Sequence, residues 1–474
     1  MERPPLEITP AQIGMELETW FNHESCERLA SETGFIQRST SRLTGSAFFN
    51  LLTVGIVGEA TVSYAGLCDA LEECHSDLQL TPQALCERMN SPGAGAFLKA
   101  GLEKTLQETS PDDPATLKGV WLDAFRRVLL QDSTTIEVHE QLAEDFKGSG
   151  GNASKASVKI DYSYDVKSET AEHIELRRGA DSDQGFANDL VARVRQNDLV
   201  IRDLGYLSLD FFAFLVSIGA FFLSRLGFNV NVYLTADARE PINLIQQINR
   251  FGGSGKTMEF QVFLGRKQRI PVRLVVYRLP REVYRKRQRA AIKAAKRKGR
   301  GISLSYLKFL KFTCYITNVP ETVWPMEALG TVYRLRWQVE LTFKHWKSLF
   351  QINVLKGTRP ERIRCLIYGR LIVILVVQRL LAQAAVMASN EQRELSFDKA
   401  IQWLLRSGRL AKAFMARQFG DLLQRMRSCL KRLLKQKRKR LSTRQLISQQ
   451  VGYLDSFPDI NQLLGEVAIL ENCS

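Results

Sequence analysis

The chain has 474 residues, 45% of them hydrophobic and 24% charged, an ordinary balance for a soluble globular protein with room for two to four domains. Its net charge of +16 and pI near 9.5 point to an acidic polymer or surface as partner. The eight cysteines are scattered, with no CxxC pair and no His at zinc spacing. A reduced cytoplasmic protein without structural zinc fits best.

The first residues, MERPPLEITPAQ, are no signal peptide. Residues 1–118 are expected to be a helical domain. Apolar positions recur at helical spacing in Ala47–Val57 and Tyr64–Leu71, and Thr81-Pro82-Gln83 is a helix start. Arg38 and Arg42, four apart before an apolar helix, are candidates for gripping DNA; a plain helical bundle is the equal alternative. Pro111-Asp112-Asp113-Pro114 reads as a linker.

From about residue 119 to 229 the period changes to that of an α/β layer. Arg127–Val138 reads as a strand with Asp132 inside it, followed by strands at Ser157–Val166 and His173–Arg178, with Gly148–Gly151 as a flexible turn. Gln184–Gln196 reads as a helix and Leu199–Asp203 as a short strand closed by Leu204-Gly205-Tyr206. Leu207–Ala220 is an apolar helix and Phe221–Leu226 another strand.

Residues 230–318 are expected to be a β-rich insertion, with strands at Asn229–Leu234, Glu259–Leu264, Ile270–Tyr277 and Phe312–Thr317. A separate domain beside a completed core is the alternative. Residues 319–390 resume the core, and 391–474 form a basic helical C-terminal region. The most apolar run, Phe211–Leu223, is shorter than the roughly 20 residues a bilayer needs, and Ile372–Met387 is broken by Arg379. Both read as buried core helices, so no membrane is expected.

The positive charge is concentrated. Arg281–Arg300 holds ten Lys/Arg and one acid, and Arg425–Arg444 ten Lys/Arg and none; together they carry +19 against +16 for the whole chain. Cations such as Lys296 and Arg297 act through phosphates and read no sequence by themselves. Double-stranded DNA is the expected partner. An RNA-binding protein lacks support, because the aromatic-rich motifs of the common RNA modules are missing.

The stretch Tyr333–Phe350, YRLRWQVELTFKHWKSLF, reads as one long amphipathic helix. At about 100° per residue, Tyr333, Arg336, Glu340 and Lys347 share one face, with Leu335, Val339, Thr342 and Trp346 opposite. Flanking cations keep the Glu340 carboxylate ionised, the state a metal needs. Tyr333 to Lys347 spans about 21 Å, which suits an extended polyanion. Asp132 joins Glu340 as a candidate because an unpaired acid between apolar strand residues is costly. Asp203 joins because it ends a strand at a glycine-containing turn, where α/β sheets hold ligands. Asp181, Asp183 and Asp198 compete for the second role, and each acid taken singly could be structural.

The spacing Tyr-x2-Arg-x3-Glu-x6-Lys should arise by chance in a chain this long roughly once in several hundred. Here the sequence resembles the bacterial insertion-sequence DDE transposases of the IS-four type, known by this YREK signature. QDSTTIEV and IRDLGYL resemble the blocks around that family's two catalytic aspartates, and the order D, D, long insertion, YREK helix also matches. The resemblance runs from about Phe35 to Lys356. It implies an RNase H-like core in which Asp132, Asp203 and Glu340 hold two Mg²⁺ ions, with Mn²⁺ able to substitute. It also implies that Tyr333, Arg336 and Lys347 hold terminal phosphates of a transposon end and that Arg225 approaches DNA. The implied activity is cut-and-paste transposition by a homodimer on paired ends, in the bacterial cytoplasm at the nucleoid. Family insertions use an aromatic, often Trp, to hold a flipped base at a DNA hairpin. FTCYITN has no Trp, so Phe312 is the candidate, a buried aromatic being the other reading. A nuclease of the same fold without strand transfer, or an inactive DNA-binding regulator, are the rival functions.

Overall fold

The computed structural model describes residues 17, 20–38, 41–57, 63–75, 78–108, 119–150, 154–183, 190–251, 256–389, 393–436 and 441–453. Nine strands occur among them: β1 Val128–Glu137, β2 Ser157–Asp165, β3 Thr170–Arg178, β4 Leu199–Arg202, β5 Phe221–Arg225, β6 Val232–Tyr233, β7 Thr257–Leu264, β8 Ile270–Arg278 and β9 Phe312–Thr317. The chain divides into two compact units built from non-contiguous segments. Residues 1–116, 133–181 and 340–437 form the first unit, and 117–132, 182–339 and 438–474 the second. Strand β1 and the helix Trp337–Ser348 each cross a division.

The first unit is mainly helical. Its helices start where short polar side chains can cap them: Thr44, Ser63 and Thr81 each accept a hydrogen bond from the backbone N–H three residues on. The 30-residue helix Pro360–Ser389 is the centre of this unit, packed along Pro92–Glu108 and Gly45–Thr53. It is long and apolar enough to cross a bilayer, but most of its apolar stretch is buried inside the protein. Two glycines allow the close approach: a Cβ on Gly369 would overlap the carbonyl of Leu52, and one on Gly101 would come within 2.7 Å of the Phe49 ring. The antiparallel hairpin of β2 and β3 completes the unit, with Tyr162 meeting Trp346 edge to face at 4.9 Å.

The second unit carries a mixed sheet in the order β1-β4-β5-β9-β8-β7-β6. The pairs β1/β4 and β4/β5 are parallel, and every pair from β5/β9 to β6/β7 is antiparallel. Parallel neighbours need a crossover, and the helix Leu209–Ser217 supplies it between β4 and β5. Phe211 and Phe212 on it are buried, with Phe212 stacked on Phe222 of β5 at 4.2 Å.

Residues 230–318 extend the same sheet, because β9 pairs with β5 and the other three strands follow outward from it. Two expectations are corrected here. Asn229–Leu234 yields only the two-residue β6, and the basic segment forms the helix Arg281–Arg297. The YREK stretch is not one helix: Ala328–Tyr333 and Trp337–Ser348 are joined by a 3₁₀ turn at Arg334–Arg336. The linker at 111–114 and residues 184–189 of the expected helix at 184–196 lie outside the described residues, and of the remainder 191–193 form a turn.

Candidate active site

Strand β1 runs apolar and buried through Val128, Leu129 and Leu130 and then reaches Asp132. Strand β4 runs through Leu199, Val200 and Ile201 to Arg202, with Asp203 next. The two strands are parallel, and their last paired residues are Gln131 and Arg202. Asp132 and Asp203 are therefore the next residue on each, at the carboxyl ends of adjacent parallel strands. Apolar pairing fixes this register, since a one-residue slip would turn both acids to the other face of the sheet.

Both carboxylates converge on one guanidinium. Arg336 lies 3.4 Å from Asp132 through Nη1 and 3.8 Å from Asp203 through Nε. Tyr333 donates its hydroxyl hydrogen bond to Asp203 Oδ1 at 3.1 Å. The 3₁₀ turn explains the alignment, because residues i and i+3 eclipse in that geometry and Tyr333 and Arg336 are three apart. Burial and then the Asp203 charge push the Tyr333 phenol well above its ordinary range, so it stays a neutral donor. Arg225, at the end of β5, completes the electrostatics. Burial alone would lower its pKa, but Tyr333 and Asp203 outweigh that and raise it.

Tyr333 and Arg336 are almost fully buried, at 0% and 1% exposure. The expected single helix face shared by Tyr333, Arg336, Glu340 and Lys347 opposite a buried apolar one is thus corrected: Tyr333 and Arg336 are themselves buried and turn inward, onto the aspartates. Glu340 follows four residues after Arg336, half-buried in the first turn of the helix Trp337–Ser348. Lys347, on the same helix, donates from Nζ to the Thr135 carbonyl at 3.4 Å, and burial lowers its pKa.

Two of the three competitors for the second acid, Asp198 and Asp181, are engaged elsewhere. Asp198 is fully buried and pairs with Arg126 at 3.0 Å and Arg127 at 2.7 Å. Asp181 pairs with Arg178 at 3.2 Å. The adjacent arginines just before β1 were the sequence signal for the Asp198 pair. Phe312 lies 3% exposed in the same buried cluster as Leu274 and Ile316, the packing reading of that aromatic. Arg38 and Arg42 are exposed in the loop before Gly45–Thr53, and Lys296 and Arg297 are exposed at the end of the basic helix.

A family model described as Transposase DDE domain matches residues 123–376, more than half of the chain. The chain belongs to the DDE transposases. The transposase is 32% identical over 405 residues to the transposase for insertion sequence element IS231F of Bacillus thuringiensis subsp. israelensis, covering 81% of this chain and 83% of that one. It is 30% identical to the IS231B transposase of B. thuringiensis subsp. berliner, covering 79% and 81%. It is 27% identical to the IS1151 transposase of Clostridium perfringens, covering 82% and 84%. A solved structure of piggyBac transposase in a synaptic complex with hairpin DNA aligns at TM-score 0.43 and 14% identity, covering 93% of this chain and 90% of that one.

Membership sets the activity: DNA cleavage and strand transfer, a chemistry that depends on divalent metal. Among the described residues, no three His, Cys, Asp or Glu side chains gather into a metal-binding group. Two carboxylates at adjacent strand ends nonetheless fit a hard cation: the donors are all oxygen, and they already converge on one positive charge, that of Arg336.

Proposed function

We propose that the transposase moves its element by cut and paste, and that Asp132, Asp203 and Glu340 are the carboxylates that hold its metal. Two Mg²⁺ ions, replaceable by Mn²⁺, are the fitting occupants; when bound they activate the attacking oxygen and stabilise the leaving one. The chain's own part is to hold the ligands. The Tyr333 hydroxyl fixes which oxygen of Asp203 is engaged, and Arg336 balances the charge of two neighbouring acids. In this reading the core is RNase H-like, and end cleavage frees 3′ hydroxyls that attack target DNA. A homodimer on paired ends carries this out at the nucleoid in the bacterial cytoplasm, with a hairpin as the excision intermediate.

Lys347, Arg225, Arg38, Arg42, Lys296 and Arg297 are assigned to the DNA backbone, and Tyr333 and Arg336 to terminal phosphates once the site opens to DNA. With Phe312 packed in the core, its assignment to a flipped base requires the ring to leave that packing. The observation that carries the reading is the convergence of Asp132 and Asp203 on Arg336 at the ends of β1 and β4.

The test is a labelled transposon-end duplex incubated with and without Mg²⁺, with products resolved on a denaturing gel. Wild type should nick only with metal and join a pre-cut end to plasmid. D132N, D203N and E340Q should each do neither while still shifting the end in a binding assay. Cleavage without joining would favour a nuclease. Full activity in any of the three variants would overturn the assignment.

A further inference from the structure

The described C-terminal segment, residues 441–453, lies beyond the matched family domain, yet it is built into the second unit against the helix Ala328–Tyr333. Ser442 opens a capping box with Gln445, and the helix Thr443–Ser448 buries Leu446 and Ile447. Ile447 seats on Gly119, where any Cβ would come within 2.9 Å of its Cγ2. Past the helix, Thr331 Oγ1 donates to the Val451 carbonyl at 2.9 Å, and Tyr453 N donates to the Glu327 carbonyl at 2.9 Å.

Tyr453 is 1% exposed and lies flat against Gly330, whose missing side chain makes the room: a Cβ there would overlap the ring. The ring then enters a chain of aromatic contacts. Tyr453 meets Tyr277 at 5.1 Å and Tyr315 at 6.3 Å, and Tyr315 meets Tyr333 at 5.0 Å. Tyr333 is the donor to Asp203. Tyr277 also donates to the Met326 carbonyl, just before the same helix.

We propose that this C-terminal segment is a strap for the active site, and that Tyr453 is a positioning residue acting through Tyr315 and Tyr333 on Asp203. The proposal rests on the reading of Asp203 as a metal ligand. The helix Ala328–Tyr333 is only six residues long and has no side-chain N-cap, so its own hydrogen bonds fix it weakly. The strap supplies what the helix lacks: two hydrogen bonds to its first turns and a ring filling the groove over Gly330. Buried aromatic packing of this kind passes a displacement on because the interior is close-packed.

The test uses the full-length chain carrying Y453F, Y453L, Y333F and the double variant Y453L/Y333F. Melting temperature, end-binding Kd, end-cleavage kcat and Mn²⁺ binding followed by EPR without DNA are measured for each. Y453F keeps the ring and loses only the hydroxyl facing Tyr315, so it should lose clearly less cleavage and Mn²⁺ binding than Y453L. Y453L should bind ends within about threefold of wild type, cleave at least tenfold more slowly and bind Mn²⁺ several-fold more weakly. The double variant should be no worse than the poorer single variant, because both act on one path. A folded Y453L with unchanged kcat and Mn²⁺ binding would overturn the proposal, as would losses that add fully in the double variant. If Y453L fails to fold, S442A, which removes only the cap of the strap, should weaken Mn²⁺ binding in the same direction; no change would overturn it. Failure of the underlying reading is separable: it would appear as wild type binding no Mn²⁺ at a site lost in D203N.

Discussion

Asp198 and Asp203 bracket the same short strand, β4, and both are buried, yet their surroundings assign them opposite roles. Asp198 accepts from two arginines and from the Arg195 backbone N–H at 2.8 Å, so its charge is fully occupied in closing the start of β1 and β4. Asp203 instead ends the strand beside Tyr333 and a more distant Arg336. The two asparagine variants should therefore diverge. D198N leaves two arginines without their counter-charge, one of them buried, and should cost about 3–5 kcal/mol, read as a lowered denaturant midpoint. Its residual folded fraction should cleave at the wild-type rate per folded molecule. D203N should keep its midpoint near wild type and lose cleavage by about 10³-fold or more, the several kcal/mol that metal-assisted chemistry supplies. Equal stability losses in the two variants would merge the roles that the geometry separates.

At the scale of elements, close packing rather than propensity holds the first unit together. The helix Pro360–Ser389 is pressed against Gly45–Thr53 where Gly369 faces the backbone of Leu52. A methyl group there meets a carbonyl, not a flexible side chain, so G369A should force the helices apart and cost about 1–3 kcal/mol or more. Thermal unfolding of G369A is compared with that of V386A on the same helix, at a position 37% exposed, which should shift little.

The sequence made the elements around the site legible because their signals are local. β1, β4 and β9 were readable from apolar runs, and Thr81-Pro82 from its cap. The break in the YREK stretch was not readable, because a 3₁₀ turn changes the winding of three residues without altering the apolar pattern. Nor was the inward turn of Tyr333 and Arg336, since their partners Asp132 and Asp203 lie more than 100 residues away in sequence. Joining β9 to β5 was equally non-local, and alternation within a strand does not name its neighbour.

For the whole molecule, the decisive quantity is where the charge sits. Two segments exceed the entire net charge, and the first is a helix that buries only Val283 and Arg287. Lys293, Lys296 and Arg297 lie on its exposed second half, where a cation meets water unless a polyanion covers it. Each phosphate such a cation neutralises releases counterions, so DNA affinity falls with salt at about 0.9 log units per contact. Replacing all three residues by Gln should make the log K against log salt slope shallower by up to about 2.7, with the loss of affinity greatest at low salt. The preference for transposon ends over random duplex should not change, because phosphate contacts carry no sequence information. Anisotropy titrations on both duplexes across a salt series would check this. An unchanged slope would remove the helix from the DNA interface, and a lost end preference would mean that it reads bases.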